Sequence, residues 1–387
     1  MDFALTPAQQ QKRNEFREFV QQYVEPVADQ IDRSRRVPLT VVRHAANRGY
    51  LAPTVPTEYG GSGYDMLTFS MLAEEIAKAS LSLAIPFAIH TCLATGSILD
   101  AGSESQKRQF LPRLTTRGEI AAFALTEAGA GSDAGALTTL ATPTAEGFVI
   151  NGSKTWVSNG GLAKVFIVFA KLDGDGKHGR INAFIVERKL PGISLIERED
   201  TLGLRGADIR TVNFENVLVS RDQQLGEIGS GWGIVMRAFN RVRIILASAA
   251  LGASERALHL GILYAAQRQA FGTTLAHKQR IQNFIAECVA EIESLRQTIR
   301  YAAWLADTGQ DFGVTANIVK YLGGRVAGDV ADKVLQIHGG AGYRESEEIS
   351  RIYRDVRALR LLGGTDEIQQ FAIARDAFKQ VGIKIEP

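Results

Sequence analysis

Residues 124–133 read Ala124-Leu125-Thr126-Glu127-Ala128-Gly129-Ala130-Gly131-Ser132-Asp133, and they stand where one hydrophobic period ends and another begins. Upstream, from Thr6 to about Arg117, apolar residues recur at helical spacing. Phe16, Phe19, Val20, Tyr23 and Val24 make one face, and Thr6-Pro7 supplies a cap and first turn. A loop interrupts this region at Ala52-Pro53-Thr54-Val55-Pro56-Thr57-Glu58-Tyr59-Gly60-Gly61-Ser62-Gly63, because prolines and clustered glycines cannot continue a helix. Downstream, short β-type runs follow at Phe148 to Ile150, Val165 to Ala170, Ile181 to Val186 and Thr211 to Val219. Turn chemistry at Ala145-Glu146-Gly147 and Asp173-Gly174-Asp175-Gly176 separates them, which predicts a meandering antiparallel sheet or barrel. From Trp232 long helices return. Ile281, Phe284, Ile285, Cys288, Val289, Ile292, Leu295 and Ile299 lay one apolar stripe for partner helices. The expected organisation is a helical region over 1–119, a β-domain over 120–231 and a helical region over 232–387.

The composition narrows the function classes. A chain of 387 residues, 45% hydrophobic and 22% charged, has the balance of a globular protein with a substantial core. A net charge of only +2 lacks the concentrated basic field on which non-specific nucleic-acid binding depends. Cys92 and Cys288 form no CxxC pair and have no ligand cluster beside them, so a reducing compartment and no structural metal are expected, with both thiols as apolar filler. Met1-Asp2-Phe3-Ala4 lacks a basic segment followed by an apolar one, and a cytoplasmic location is the default expectation. The window Leu81 to Leu99 is apolar enough to span a bilayer, but Pro86, His90, Thr91 and Gly96 interrupt it, so a buried core helix is expected. His44, His90, His259, His277 and His338 have no metal-ligand spacing and read as structural or exposed.

The small residues of the 124–133 string permit close backbone approach to a flat or phosphorylated ligand, and its hydroxyls and N–H groups offer donors. On composition alone a small-residue loop without a ligand is the favoured reading. It is not a GxGxxG turn opening a helix after a strand, so a Rossmann nicotinamide site is unsupported. With three further segments in order, however, it resembles the flavin-binding signature of the acyl-CoA dehydrogenase family. Those segments are Asn151-Gly152-Ser153-Lys154-Thr155-Trp156-Val157-Ser158-Asn159-Gly160, Tyr264-Ala265-Ala266-Gln267-Arg268-Gln269-Ala270-Phe271-Gly272, and Gln336-Ile337-His338-Gly339-Gly340-Ala341-Gly342-Tyr343. Tyr59-Gly60-Gly61-Ser62-Gly63 and Arg354-Asp355 agree as well, so the resemblance covers nearly the whole chain. It implies a mainly α fold with a central β-sandwich or barrel and a C-terminal four-helix bundle that builds a homotetramer or dimer, with one FAD per subunit.

Carried over by this resemblance, Phe123, Leu125, Thr126 and Ser132 line the isoalloxazine edge and reach the pyrophosphate, Trp156 stands against the ring, and Ser158 bonds near its reactive nitrogen. Thr365 joins this cofactor set, and Arg243 and Ser132 are assigned to substrate. In the family a neighbouring subunit completes the adenine half, which gives Arg268, Phe271, Gln336, Gly339 and Gly340 that role in trans. A guanidinium suits pyrophosphate because it makes two parallel bonds to an oxyanion. Taken singly, Trp156 reads as core filling, Arg268 as a surface ion pair, and Gln336 as uninformative.

The resemblance implies a reaction in which a thioester loses an α-proton while its β-carbon delivers hydride to FAD. Most members place the base, a Glu, in a Glu-Gly-Thr turn near the C-terminus. This sequence reads Leu361-Leu362-Gly363-Gly364-Thr365-Asp366-Glu367-Ile368-Gln369, with Gly363 at the Glu position. Another branch takes its Glu from an earlier helix, immediately before an Arg. Here that place is Val242, in Phe239-Asn240-Arg241-Val242-Arg243. Loss of a positioned base costs about 10² to 10⁴ in rate. The Gly363 N–H, in the family an oxyanion donor, remains.

Three explanations compete. Asp366, or less readily Glu367, acts as substitute base; the pocket serves altered chemistry, such as thioester reduction, oxygen-dependent hydroxylation or carbanion-driven ring closure; or the chain is an inert FAD-binding homologue. The substrate is expected on coenzyme A or on a carrier-protein phosphopantetheine arm, as in specialised biosynthetic (secondary) metabolism. An electron-transfer flavoprotein is implied only for net dehydrogenation. No nucleic acid, membrane or metal is expected. Gly363 is expected to leave room beside the α-carbon, and Gly363→Glu is expected to raise dehydrogenation because the enolate-stabilising donors are in place.

Overall fold

The computed structural model describes residues 5–172 and 180–385, so the expected turn at Asp173 to Gly176 and the start at Met1 to Ala4 lie outside the described residues. Among the described residues seven α-helices precede the sheet: α1 (Pro7–Tyr23), α2 (Ala28–Ser34), α3 (Leu39–Asn47), α4 (Met66–Ala79), α5 (Leu81–Ala88), α6 (Gly96–Ala101) and α7 (Glu104–Thr115). Thr6 caps α1 as its sequence predicts: its hydroxyl accepts from the Gln9 N–H, the Gln9 side chain accepts from the Thr6 N–H, and Pro7 fills the first turn. Such a cap contributes about 1 kcal/mol. Phe16 and Phe19 are fully buried, both meeting the Tyr50 ring edge-on at 5.2 Å. Between α5 and α6 the chain widens into a π-helix, Ile89–Thr95. The run Leu81–Ala101 is long and apolar enough to cross a membrane by length and composition, but its apolar window is wholly buried in the fold.

The middle of the chain forms β1 (Ile120–Ala124), β2 (Leu140–Pro143), β3 (Gly147–Val157), β4 (Ala163–Leu172), β5 (Ile181–Glu187), β6 (Ile193–Leu195), β7 (Arg210–Ser220) and β8 (Gln224–Leu225). Every predicted β run falls on one of these strands. The sheet is mixed rather than a purely antiparallel meander: β1 and β2 both pair with β4 in parallel, while β3 joins β2 to β7 in antiparallel register. Residues of β1, β4 and β5 alternate between two cores, which explains their unbroken apolar runs. Phe123, Val165, Ile167 and Ile185 face the helices, and Ala122, Phe166, Val168 and Val186 face Val212, Phe214 and Val217 of β7 across the folded sheet.

The remainder is α8 (Gly231–Gln267), a short hairpin of β9 (Gln269–Ala270) and β10 (Thr273–Thr274), then α9 (Gln279–Asp307), α10 (Gly313–His338), α11 (Glu348–Val356) and α12 (Asp366–Gln380). On α9 the predicted stripe is covered from Cys288 through Ile292, Leu295 and Ile299, whereas Val289 stays 49% exposed. Ion pairs cross-link the helices: Arg13 of α1 to Glu75 of α4 at 2.7 Å, Lys78 of α4 to Glu255 of α8 at 2.8 Å, and Arg296 of α9 to Glu74 at 3.3 Å.

Where α8 crosses α4, Gly252 permits the contact, because a Cβ there would lie 2.1 Å from the Glu74 carbonyl oxygen. Gly252→Ala is therefore expected to push the helices apart at a cost of about 1–3 kcal/mol. A thermal melt reads this as a lowered Tm, and an unchanged Tm refutes the close crossing.

Candidate active site

The 124–133 string turns off the end of β1, and a buried ion pair fixes its position. The ammonium of Lys154, with no exposed surface, donates to the Leu125 carbonyl at 3.0 Å and to Glu127 Oε1 at 2.7 Å. Glu127 also accepts from the backbone N–H and the hydroxyl of both Thr138 and Thr139, at 2.6–2.9 Å. Burial on its own raises the Glu127 carboxyl, but the Lys154 charge and these donors outweigh it and hold it down to about 2. Burial likewise pulls Lys154 down, to about 8, against the raising effect of Glu127. The carboxylate's five donors fix its ionised state. Beside this clamp the Thr155 N–H donates to the Thr126 carbonyl at 2.9 Å, so strand β3 carries Thr155 and Trp156 alongside Leu125 and Thr126.

A cleft of about 110 Å³ opens over this junction. Phe123, Leu125, Thr126, Thr155, Trp156 and Ser158 form its sheet side. Ile89, Leu93, Phe239, Val242, Leu246, Leu362 and Gly363 form its helical side. Trp156 adopts a left-handed backbone, φ 56°, and leaves 58% of its surface exposed. Asn159 anchors the following turn, donating to the Pro86 carbonyl at 3.0 Å. The two positions that the sequence comparison singled out for a base, Val242 and Gly363, thus meet in one cleft.

No Asp, Glu, His, Lys, Cys or Tyr lines the cleft among the described residues. His90, next to the lining residue Ile89, is sealed away. Its Nδ1 accepts from the Ala121 N–H at 3.0 Å, its Nε2 donates to the Leu114 carbonyl at 2.9 Å, and burial lowers it to about 4, so it is neutral. Asp366, the expected substitute base, is not brought to the cleft. It is buried at the start of α12, where Lys320 reaches its Oδ1 at 3.3 Å and Arg360 its Oδ2 at 2.7 Å. Two cations thus hold the carboxylate behind the turn. Glu367 points to solvent. Thr365 caps α12, its hydroxyl accepting from the Ile368 N–H at 3.4 Å.

The Gly363–Gly364 turn is braced from behind. Its Gly363 carbonyl accepts from Arg243 Nε at 3.1 Å and Gln369 Nε2 at 3.2 Å, and Gln369 Nε2 also donates to the Gly364 carbonyl at 3.1 Å. The Gly363 N–H has no acceptor among the described residues. Arg243 is buried, lies behind the turn rather than in the lining, and carries no carboxylate partner among the described residues. Burial lowers it to about 10, which leaves it cationic at neutral pH. The expected room beside Gly363 is filled: Leu246 Cδ1 stands 2.9 Å from where a Cβ at 363 would be. Leu246, Phe239 and Gln369 were given no role by the sequence, whereas Ile89 and Leu93 belong to the Leu81 to Leu99 helix that the resemblance places along the acyl pocket. Phe239, Val242 and Leu246 nevertheless share a helical face at offsets of three and four, a signal available once Val242 was singled out.

Arg268, Phe271, Gln336, Gly339 and Gly340 are all exposed and do not join the cleft. Tyr264 stacks on His338 at 4.3 Å, which sets the ends of α8 and α10 side by side and gathers these residues at one end of the helical region. Ser132 lies in the exposed part of the 124–133 loop.

Models of the acyl-CoA dehydrogenase N-terminal, middle and C-terminal domains match residues 6–118, 122–217 and 229–378. This chain belongs to the acyl-CoA dehydrogenase family. It is 36% identical over 383 residues to an acryloyl-CoA reductase (NADH) of Anaerotignum propionicum, covering 98% of this chain and 97% of that one. The butyryl-CoA dehydrogenase structure of Megasphaera elsdenii superposes with a TM-score of 0.94 at 33% identity, covering 98% of this chain and 100% of that one. A prolyl acyl carrier protein oxidase superposes with a TM-score of 0.93 at 29% identity, over 98% and 100%. Membership makes this chain an oxidoreductase with FAD as its cofactor. The cleft suits a flavin ring: its walls are apolar, an exposed indole stands at its rim, and Thr126, Thr155 and Ser158 offer hydroxyls. Gly129 and Gly131 have open space where a Cβ would stand, so the backbone there is free to approach a phosphate.

Two outcomes follow for this acyl-CoA dehydrogenase family member. Glu127→Gln is expected to lower stability by about 3–5 kcal/mol and to reduce FAD retained on purification. Because the folded carboxyl lies below its ordinary 4.5, its contribution is complete above that value and fades as pH falls toward about 2. Urea melts of both proteins should therefore converge across that window. Asp366→Asn is expected to lower stability while leaving the rate per bound flavin unchanged; a rate loss of tenfold or more at full FAD occupancy would return Asp366 to the chemistry.

Proposed function

We propose that this enzyme acts at the α- and β-carbons of an acyl thioester without a carboxylate of its own to take the α-proton. One observation carries the reading: a cleft without an ionisable lining residue that contains both Val242 and Gly363. Bound FAD supplies the two-electron exchange with the β-carbon. The chain's residues do the rest: Phe123, Leu125, Thr126, Thr155, Trp156 and Ser158 hold and orient the ring, and Ser132 reaches toward the pyrophosphate. The Gly363 N–H donates to the thioester oxygen, with the Arg243 cation behind it favouring negative charge there. Ile89, Leu93 and Phe239 give the carbons an apolar wall. Carbonyl polarisation is kept, and α-proton abstraction by the protein is given up.

The altered chemistry on the same activated thioester, carried by coenzyme A or a carrier protein's phosphopantetheine, would be reduction, with hydride from reduced FAD and a proton from solvent; oxygenation by dioxygen with reduced FAD, the second oxygen atom leaving as water; or ring closure, with the α-proton passing to solvent as the leaving group departs. A relative that reduces acryloyl-CoA and one named for a prolyl carrier-protein substrate make both tethers reasonable. The exposed Arg268, Phe271, Gln336, Gly339 and Gly340, with uncovered Val289 on α9 and Ile262 and Leu263 on α8, support a homo-oligomer in which these residues complete a neighbour's FAD.

Saturated straight-chain acyl-CoA thioesters are expected to bleach the bound flavin anaerobically about 10² to 10⁴-fold more slowly than they bleach the butyryl-CoA dehydrogenase of Megasphaera elsdenii. Equal rates sink the proposal. Mass spectra of coenzyme A and carrier-bound thioesters after incubation identify the reaction, since loss of hydrogen, gain of hydrogen, gain of oxygen and loss of a leaving group differ in mass. No product from any of them, aerobically or with reduced flavin, marks the chain as an inert FAD-binding homologue.

A further inference from the structure

We infer that Leu246 is the apolar counterpart of Gly363, and that together they close the place of the missing base with hydrocarbon. The inference rests on the reading that the cleft handles an acyl thioester without a base. Leu246 Cδ1 lies 2.9 Å from the position of a Cβ on residue 363, closer than real Cβ atoms stand to a neighbour. Leu246 lines the cleft, is 4% exposed, and sits one helical turn after Val242, so the two present one face of α8 to the cleft.

The turn itself cannot swing aside to make room. Arg243 Nε and Gln369 Nε2 hold its Gly363 carbonyl, Gln369 also holds the Gly364 carbonyl, and Gln369 is fully buried. A side chain at 363 must also adopt φ 68°, a left-handed conformation that suits glycine. The loss of the base is thus built into two elements 117 positions apart, the turn and α8, rather than left as a vacancy in one. Gly363→Glu alone requires the buried Leu246 side chain to turn away from the new Cβ. Val242→Glu differs: position 242 has an ordinary helical backbone and already faces the cleft, so a Glu there carries no left-handed strain.

The test uses FAD-loaded wild-type protein and four variants: Gly363→Glu, Leu246→Ala, the double Gly363→Glu/Leu246→Ala and Val242→Glu. Leu246→Val replaces Leu246→Ala, in both the single and the double, if the alanine protein loses FAD. The readout is anaerobic flavin bleaching by butyryl-CoA across pH. Gly363→Glu and Leu246→Ala alone are expected to gain less than tenfold. The double variant is expected to gain at least a hundredfold, with a new acid limb in its pH profile as the carboxyl protonates, a limb that improved packing alone does not create. Gly363→Glu equalling the double variant overturns the role of Leu246. A gain by Val242→Glu with none by the double variant also overturns it, while leaving the thioester reading intact. No gain by either the double variant or Val242→Glu, with FAD and butyryl-CoA still bound, overturns that reading and the inference with it.

Discussion

The burial of one ammonium group constrains the whole of the sheet side of this molecule. Lys154 has no contact with water, and a charge so placed is tolerated only where oxygens surround it. Those oxygens are the Leu125 carbonyl and Glu127, and Glu127 in turn binds the first residues leading into β2. The end of β1, the small-residue loop, the entry to β2 and the middle of β3 therefore move as one body. Phe123, Leu125, Thr126, Thr155 and Trp156 inherit their places from that body, which is why a loop rich in alanine and glycine can hold a defined shape.

The helical side of the cleft is governed by a different economy of charge. Three cations gather near the Gly363 turn: Arg243 supports its carbonyl, and Lys320 and Arg360 take Asp366 between them. The acid closest in sequence to the expected base position is thereby spent on structure. Among the described residues Arg243 has no such partner, so the backbone of the turn, rather than a carboxylate, meets its charge. A polarising environment without a proton acceptor is the result.

Much of this was readable from the amino acids alone. The Thr6 cap, the buried faces around Phe16 and Phe19, and strand β4 announce themselves through local period and turn chemistry, because each is decided by residues within a few positions. The parallel pairing of β1 with β4 was not readable, since it depends on crossovers through residues 125–162 that leave no local signature. The cleft was half legible: ordered motifs located Phe123, Trp156, Val242 and Gly363. The fate of Asp366 depended on Lys320, 46 positions away, and the filling of the space at Gly363 on a methyl group of α8. Both depend on tertiary neighbours of which the surrounding sequence gives no hint.

The π-helical stretch at Ile89–Thr95 sets the register of the wall opposite the sheet. Its widened turn is stabilised by the Thr95 hydroxyl, placed 2.7 Å from both the His90 and Thr91 carbonyls. Such a turn accommodates a surplus residue relative to an ordinary helix, and each residue of an ordinary helix advances the direction of its side chain by about 100°. Deleting a single position here would restore regular winding but rotate Leu93, or its partner Ile89, out of the cavity. The count of residues in this segment is consequently as binding a constraint on the pocket's shape as their chemical nature.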